Sequence, residues 1–188
     1  LSYAEALFDA GKFADAAPIF DDLRQKAEAF ALKPVAPVDP QAPDAHASAS
    51  DAVLQDKENL QMLLAQCYLE LRRPFDARNL FQQITRDHPD EPQAYLGLAR
   101  ACIGTDELPV ALAAARKVTR VEPDNAQAFL LAATVLQKQK KWSDARNTLD
   151  DARRLAPENR TVLCMLGICA QHLDRPADAA AYFHQALT

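Results

Sequence analysis

PDEPQAYLGLARACIGTDELPVALAAARKVTRVEP, residues 89–123, runs between two prolines set 34 residues apart. It holds two apolar-periodic segments, which read as the antiparallel helices of one hairpin. Proline closes the unit because it cannot continue a helix and sits well just after one. The spacing carries outward. Pro89, Pro123 and Pro157 are each 34 apart, and each is followed by a polar residue and a new apolar-periodic segment. Small residues keep the same step: Ala77, Ala111, Ala145 and Ala179 are 34 apart, as are Ala65, Ala99, Ala133 and Gly167. Two helices of a hairpin cross where their side chains are smallest, with larger residues flanking the crossing. A fixed internal period of this length means stacked copies of one helical unit.

The composition agrees. Only 4 of the 188 residues are glycine and alanine is abundant, which suits helices and argues against an all-β fold. Hydrophobic residues make up 49% and charged residues 25%, enough for a core and an ordinary soluble surface. No apolar run approaches the ~18 residues needed to span a bilayer, so no direct membrane insertion is expected. The net charge of -5 and pI of about 5.4 argue against nucleic acid as a partner, which needs a basic footprint to displace counterions. The overall sign leans toward a neutral or basic partner. Cys67, Cys102, Cys164 and Cys169 stand in apolar helical contexts, where buried free thiols are common. Reduced thiols fit a cytoplasmic setting. The chain begins at Leu1 inside what reads as a helix, so the true N-terminus is expected to lie outside this sequence.

The pattern resembles the tetratricopeptide repeat (TPR) family, whose unit reads large-x2-Leu-Gly/Ala-x2-Tyr, then Ala-x3-Phe, then Pro. Residues 58–91 supply Leu64, Ala65, Tyr68, Ala77, Phe81, Ile84 and Pro89, with Gln61 where a large apolar residue is expected and Leu60 beside it as a substitute. Residues 92–125 supply Tyr95, Leu98, Ala99, Cys102, Ala111, Val118 and Pro123. Residues 126–159 supply Phe129, Ala132, Ala133, Leu136, Ala145, Leu149 and Pro157. Residues 160–188 supply Leu163, Leu166, Gly167, Ala170, Ala179 and Phe183, and stop before the next proline. The resemblance implies an all-α fold, a right-handed superhelical array of antiparallel helix hairpins forming an α-solenoid. The units are then 1–32, a diverged and truncated N-terminal hairpin; 51–91, with an extended first helix; 92–125; 126–159; and 160–188, truncated.

The first unit keeps the register through Tyr3, Ala4, Leu7, Ala16, Phe20 and Leu23, but Glu28 replaces the closing proline. Pro18 is tolerable only if the second helix starts near Asp15, which leaves it in the first turn; otherwise a kink follows. Residues 24–32 read as an extension of that helix. Residues 33–50, KPVAPVDPQAPDAHASAS, cannot be regular helix: Pro34, Pro37, Pro40 and Pro43 recur at every third residue and favour extended backbone. They read as a linker or loop, with Ser50 or Asp51 capping the next helix. A segment lying back on the groove is the other reading; its lack of large apolar residues counts against it.

No catalytic constellation is found, and the chain is expected to be neither an enzyme nor a cofactor protein. There is no Gly-rich phosphate loop and no His-Glu-x-x-His. Cys169 and His172, three apart on one helix, form a two-ligand pair, but a structural zinc needs four ligands, so no metal is expected. Arg72, Arg73, Lys138, Lys140 and Lys141 cluster at hairpin turns, where helix C-termini favour cations.

Stacked hairpins twist so that their first helices line a concave face. By resemblance, the second, fifth, ninth and twelfth positions of each unit point into that groove. The second positions are Asn59, Gln93, Gln127 and Thr161; the fifth are Met62, Leu96, Leu130 and Cys164; the ninth are Gln66, Arg100, Thr134 and Ile168. The twelfth are Leu69, Ile103, Gln137 and Gln171. An apolar stripe bordered by amides suits an extended peptide or an amphipathic helix, with the amides pairing to exposed main chain. The alternative is that fifth-position residues pack between neighbouring helices. Relatives that bind acidic chaperone tails use lysine at a fifth and asparagine at a ninth position, and this chain has neither, which argues against that partner class.

The expected role is a protein-protein interaction scaffold or adaptor within a longer bacterial-type repeat protein. Two alternatives stand beside it. LSYAEALFDAGKFADAAPIFDDL, residues 1–23, looks like the first unit of type III secretion translocator chaperones, which implies a chaperone for secreted or membrane-inserting subunits. The third reading is an accessory module of a larger enzyme. At the end of the chain, Phe183 and Leu187 should be partly uncovered, which leaves room for further repeats or for self-association through the array ends.

Overall fold

The computed structural model describes residues 2–31 and 58–187. Every regular element among them is a helix. In chain order these are α1 (Ser2–Asp9), α2 (Phe13–Ala31), α3 (58–70), α4 (Pro74–Asp87), α5 (Pro92–Gly104), α6 (Leu108–Val121), α7 (Ala126–Lys138), α8 (Trp142–Leu155), α9 (Arg160–His172) and α10 (Pro176–Leu187). The expected linker at 33–50 and its helix cap at Ser50 or Asp51 lie outside the described residues. The chain divides into two compact units, Leu1–Pro89 and Asp90–Thr188.

The hairpins close through one device. The first helix of each pair ends in a left-handed residue: Gly11, Arg72, Asp106, Lys140 and Asp174 all have φ between 56° and 72°. The next amide reaches back five residues, Lys12 to Leu7, Arg73 to Tyr68, Glu107 to Cys102, Lys141 to Leu136 and Arg175 to Ala170, at 2.8–2.9 Å. This is the Schellman closure, which satisfies carbonyls that a helix end would otherwise leave unpaired. Four of the five left-handed positions are not glycine, and they stand 34 apart. The basic turn clusters therefore do more than solvate helix ends, since Arg72 and Lys140 carry the reversal itself.

The second helix starts where the closure leaves it. Arg73, Glu107 and Lys141 are the N-caps of α4, α6 and α8, and none makes a side-chain capping bond. The first helices are capped by side chains: Glu91 accepts from the Gln93 amide, Asn125 from Ala128, and Asn159 from both Thr161 and Val162. The same closure corrects the expected start of α2. With Gly11 left-handed, the Ala16 amide already bonds the Lys12 carbonyl at 3.0 Å, so the helix begins at Phe13 and not near Asp15. Pro18 then falls in the second turn, inside a helix that runs on to Ala31. It is exposed, and it has no N–H to offer the Ala14 carbonyl.

In the first unit α1 packs on α2, and Ala4, Ala16, Phe20, Leu60, Leu64 and Cys67 form one core. Leu60 and Gln61 are both buried, so the apolar neighbour joins the core beside the polar residue. In the second unit each helix packs on the next from α5 to α10, and α5 also touches α7. Ala133, Leu136, Ala145, Leu149, Leu166 and Cys169 share its larger core. The columns of small residues are buried throughout. Gly167 is the tightest: a β-carbon there would stand 2.5 Å from Cε1 of Phe183 on α10. Phe183 is half-buried and Leu187 exposed, as the sequence leads one to expect.

Two outcomes follow from this packing. Gly167→Ala should destabilise the chain by about 1–3 kcal/mol through overpacking, seen as a lower Tm by circular dichroism, and Phe183→Leu added to it should recover part of the loss. Lys140→Gly should stabilise by about 0.5–1 kcal/mol, the left-handed penalty less the extra chain entropy of glycine, whereas Lys140→Val should destabilise. An unchanged denaturation midpoint for both Lys140 variants would contradict a strained turn.

Candidate functional site

The first helices of the second unit, α5, α7 and α9, each bury one face. Leu98, Ala99 and Cys102 do so on α5, Ala132, Ala133 and Leu136 on α7, and Leu166, Gly167 and Cys169 on α9. Helical periodicity then turns positions two, five and nine away from the crossing. Nine of the twelve expected site residues lie on these three helices. The other three, Asn59, Met62 and Gln66, lie on α3 of the first unit, where Asn59 is exposed and the other two are half-buried.

Gln93, Gln127 and Thr161 form an exposed row near the helix starts. In the fifth-position row, Leu130 and Cys164 are half-buried. Leu96 departs from the expectation: it is 3% exposed and packs with Val118 and Ala128. Its side chain is used up between α5, α6 and α7, so it is a core residue. The ninth-position row runs Arg100, Thr134, Ile168. Arg100 is exposed, and Ile168 is 38% exposed. The Thr134 hydroxyl donates to the Leu130 carbonyl at 2.8 Å, so a ligand would meet chiefly its methyl.

The amide border is also narrower than the sequence suggests. Gln137 donates through Nε2 to the Met165 carbonyl at 3.1 Å and to Sγ of Cys169 at 3.2 Å. It is a clamp from α7 to α9, and no partner main chain is needed to satisfy that amide. Its column contained the available hint: Leu69 and Ile103, apolar and half-buried, stand at the same position.

All four cysteines are free thiols. Burial pushes the Cys67 thiol up to about 11. Burial also raises Cys169, against the lowering effect of the Gln137 hydrogen bond. Such thiols are poor nucleophiles. Cys169 and His172 do not form one site, because Cys169 faces Gln137 while His172 stacks on Trp142, with centroids 3.7 Å apart and planes at 7°. Among the described residues no group of three or more His, Cys, Asp or Glu converges to hold a metal. The Trp142–His172 stack stands beside an open cavity of about 260 Å³ lined by Lys140, Lys141, Trp142, Ser143, Asp144 and Leu173. Sequence reading misses it because the two rings come from different repeats, 126–159 and 160–188, without motif or shared column. Among the described residues no helix is long and apolar enough to cross a membrane.

A family model described as tetratricopeptide repeat matches residues 62–126 and 130–188. No curated protein matches the chain. Among solved structures, MamA is similar with a TM-score of 0.74 at 15% identity, over 98% of this chain and 92% of that one. TTC0263, a thermophilic TPR protein of Thermus thermophilus, gives 0.67 at 17% identity over 100% of this chain and 88% of that one. YrrB, a TPR protein with an unusual peptide-binding site, gives 0.67 at 10% identity over 100% and 82%. At these identities the likeness is one of fold.

The packing predicts an order of thiol reactivity. With iodoacetamide on the folded chain at mildly alkaline pH, Cys164 should be modified first, and Cys67, Cys102 and Cys169 only on unfolding. Peptide mass mapping reads the order, and equal labelling of all four would contradict it.

Proposed function

The chain belongs to the tetratricopeptide repeat family, and on that premise we propose that it is a non-catalytic scaffold or adaptor holding a peptide or helix of a partner protein on the face of its first helices. One observation carries the reading: Leu130 on α7 and Cys164 and Ile168 on α9 put accessible apolar surface beside exposed Gln127 and Thr161 of the same helices, with exposed Gln93 and Arg100 on α5. Apolar anchors with a polar border suit a segment that buries alternate side chains and keeps its main chain hydrogen-bonded. The likeness to YrrB supports it to the extent that an array of this fold, in that protein, carries a peptide-binding site. Asn59, Met62 and Gln66 on α3 are proposed as the corresponding face of the first unit.

The test is affinity capture from native lysate with the intact chain and with a Leu130→Glu, Ile168→Glu variant of equal helicity. Leu96 is left untouched, because a charge there would disrupt the core. Proteins that bind the intact chain and vanish with the variant would support the reading. The same set on both would remove these helices as the working surface.

A further inference from the structure

We propose that the stacked rings of Trp142 and His172 are a pH-sensitive clasp between the repeats 126–159 and 160–188: protonation of His172 tightens the stack and holds the end of α9 against the start of α8. Trp142 is the first residue of α8 and His172 the last of α9, and the two helices pack on each other, so the contact closes a junction between successive hairpins. The ring centroids lie 3.7 Å apart with planes 7° off parallel, which lays the imidazole flat on the indole face. Trp142 is half-buried and His172 exposed, so a proton reaches the imidazole from solvent.

The charge on the imidazole changes what the stack contributes. A neutral ring on an indole is an aromatic contact between two uncharged faces. An imidazolium brings a positive charge onto the negative face of the indole, and tryptophan is the best such acceptor. The last turn of α9 adds to this, because the C-terminal end of a helix favours a cation. The start of α8 carries the opposite end of a dipole, which Asp144 in its first turn offsets. The preceding junction shows how little the fold itself asks for here. Leu108 and Lys138 hold the same two columns, 34 residues earlier. An aliphatic chain thus suffices at the start of α6, and the last turn of α7 has a permanent cation where that of α9 has a conditional one.

The surrounding charges leave that preference in place. On the α8 side, Lys140, Lys141 and Asp144 line the open cavity beside Trp142. On the α10 side, Asp174 and Arg175 follow His172 in the turn, and Arg175 ion-pairs with Asp178 at 3.9 Å. One turn earlier on α9, Cys169 feels Arg146 and Asp150 of α8. From α7, exposed Lys138 stands next to the Gln137 clamp. Cations and carboxylates nearly cancel, and solvent at the exposed ring screens the small remainder. None of these side-chain types is the one that changes charge between about pH 5 and pH 8; the imidazole is. The indole face and the end of α9 then favour the protonated ring, so acid stabilises the folded chain relative to one without the stack.

Trp142 is the one tryptophan of the chain, so its emission reports the stack directly. The intact chain, His172→Gln and Trp142→Leu are compared from about pH 8 to about pH 5, the interval in which an imidazole takes up a proton. Expected is a fall in tryptophan emission on acidification of the intact chain that is absent from His172→Gln. Urea unfolding followed by circular dichroism should show the intact chain gaining on both variants as the pH falls, its unfolding constant separating from theirs by a further factor of about two to five, the scale of an exposed cation–π contact. The other histidines are common to all three chains and cancel in the comparison. An emission fall that persists in His172→Gln, or a gap to either variant that is the same at both ends of the range, would overturn the clasp and leave the stack a packing contact.

Discussion

At Gly167 two helices approach so closely that a single β-carbon would stand 2.5 Å from the Phe183 ring. The same column holds Ala65, Ala99 and Ala133, each fully buried, and the facing helices contribute buried Ala77, Ala111, Ala145 and Ala179. This close approach sets the rest. It lets the larger flanking residues, Leu64, Phe81, Leu136, Leu149 and Leu166, be almost fully buried. It also fixes how far apart the helix axes lie, and so how short the turn must be. Between Lys138 and Trp142 there is room for three residues only. A reversal that tight needs one residue with left-handed backbone, whatever its side chain.

That requirement separates the two kinds of helix start. A second helix begins inside the closure of the first, where backbone bonds already consume the cap residue, so Arg73, Glu107 and Lys141 can occupy a position that usually favours Ser, Thr, Asp or Asn. A first helix begins after a proline and a short loop with no such help, and there Glu91, Asn125 and Asn159 supply the acceptor. The 34-residue period is therefore a rhythm of two cap chemistries as well as of small residues.

This explains what the sequence made legible. Hairpins, crossing residues and their register could be read because each rests on a side-chain size or a missing N–H that the letters state directly. The left-handed turns could not be read from composition, since Arg72, Asp106, Lys140 and Asp174 lack the glycine that advertises them; only their common step betrays them. The start of α2 was misplaced although Gly11 marks its turn, because a backbone bond from Ala16 to Lys12 outranks the preference of Pro18 for a first turn. At the site, the helices and columns were legible but the fate of single residues was not. Leu96 and Leu130 hold equivalent positions with the same side chain, yet Leu96 is core and Leu130 half-buried. Val118 supplies the neighbour that covers Leu96. Gln137 was read as a free amide and is a clamp, because its partners lie a whole unit away.

The columns themselves distinguish fold from function. Where packing rules, the chain repeats the same chemistry: three alanines and a glycine in one column, four alanines in another. The ninth-position column reads Gln66, Arg100, Thr134, Ile168, an amide, a cation, a hydroxyl and an aliphatic chain. The fold tolerates all four, so it does not specify that column. Ile168 is 38% exposed, so most of its side chain is still covered, and Arg100 has an interaction within the chain. The variation in chemistry separates this column from the two that packing fixes.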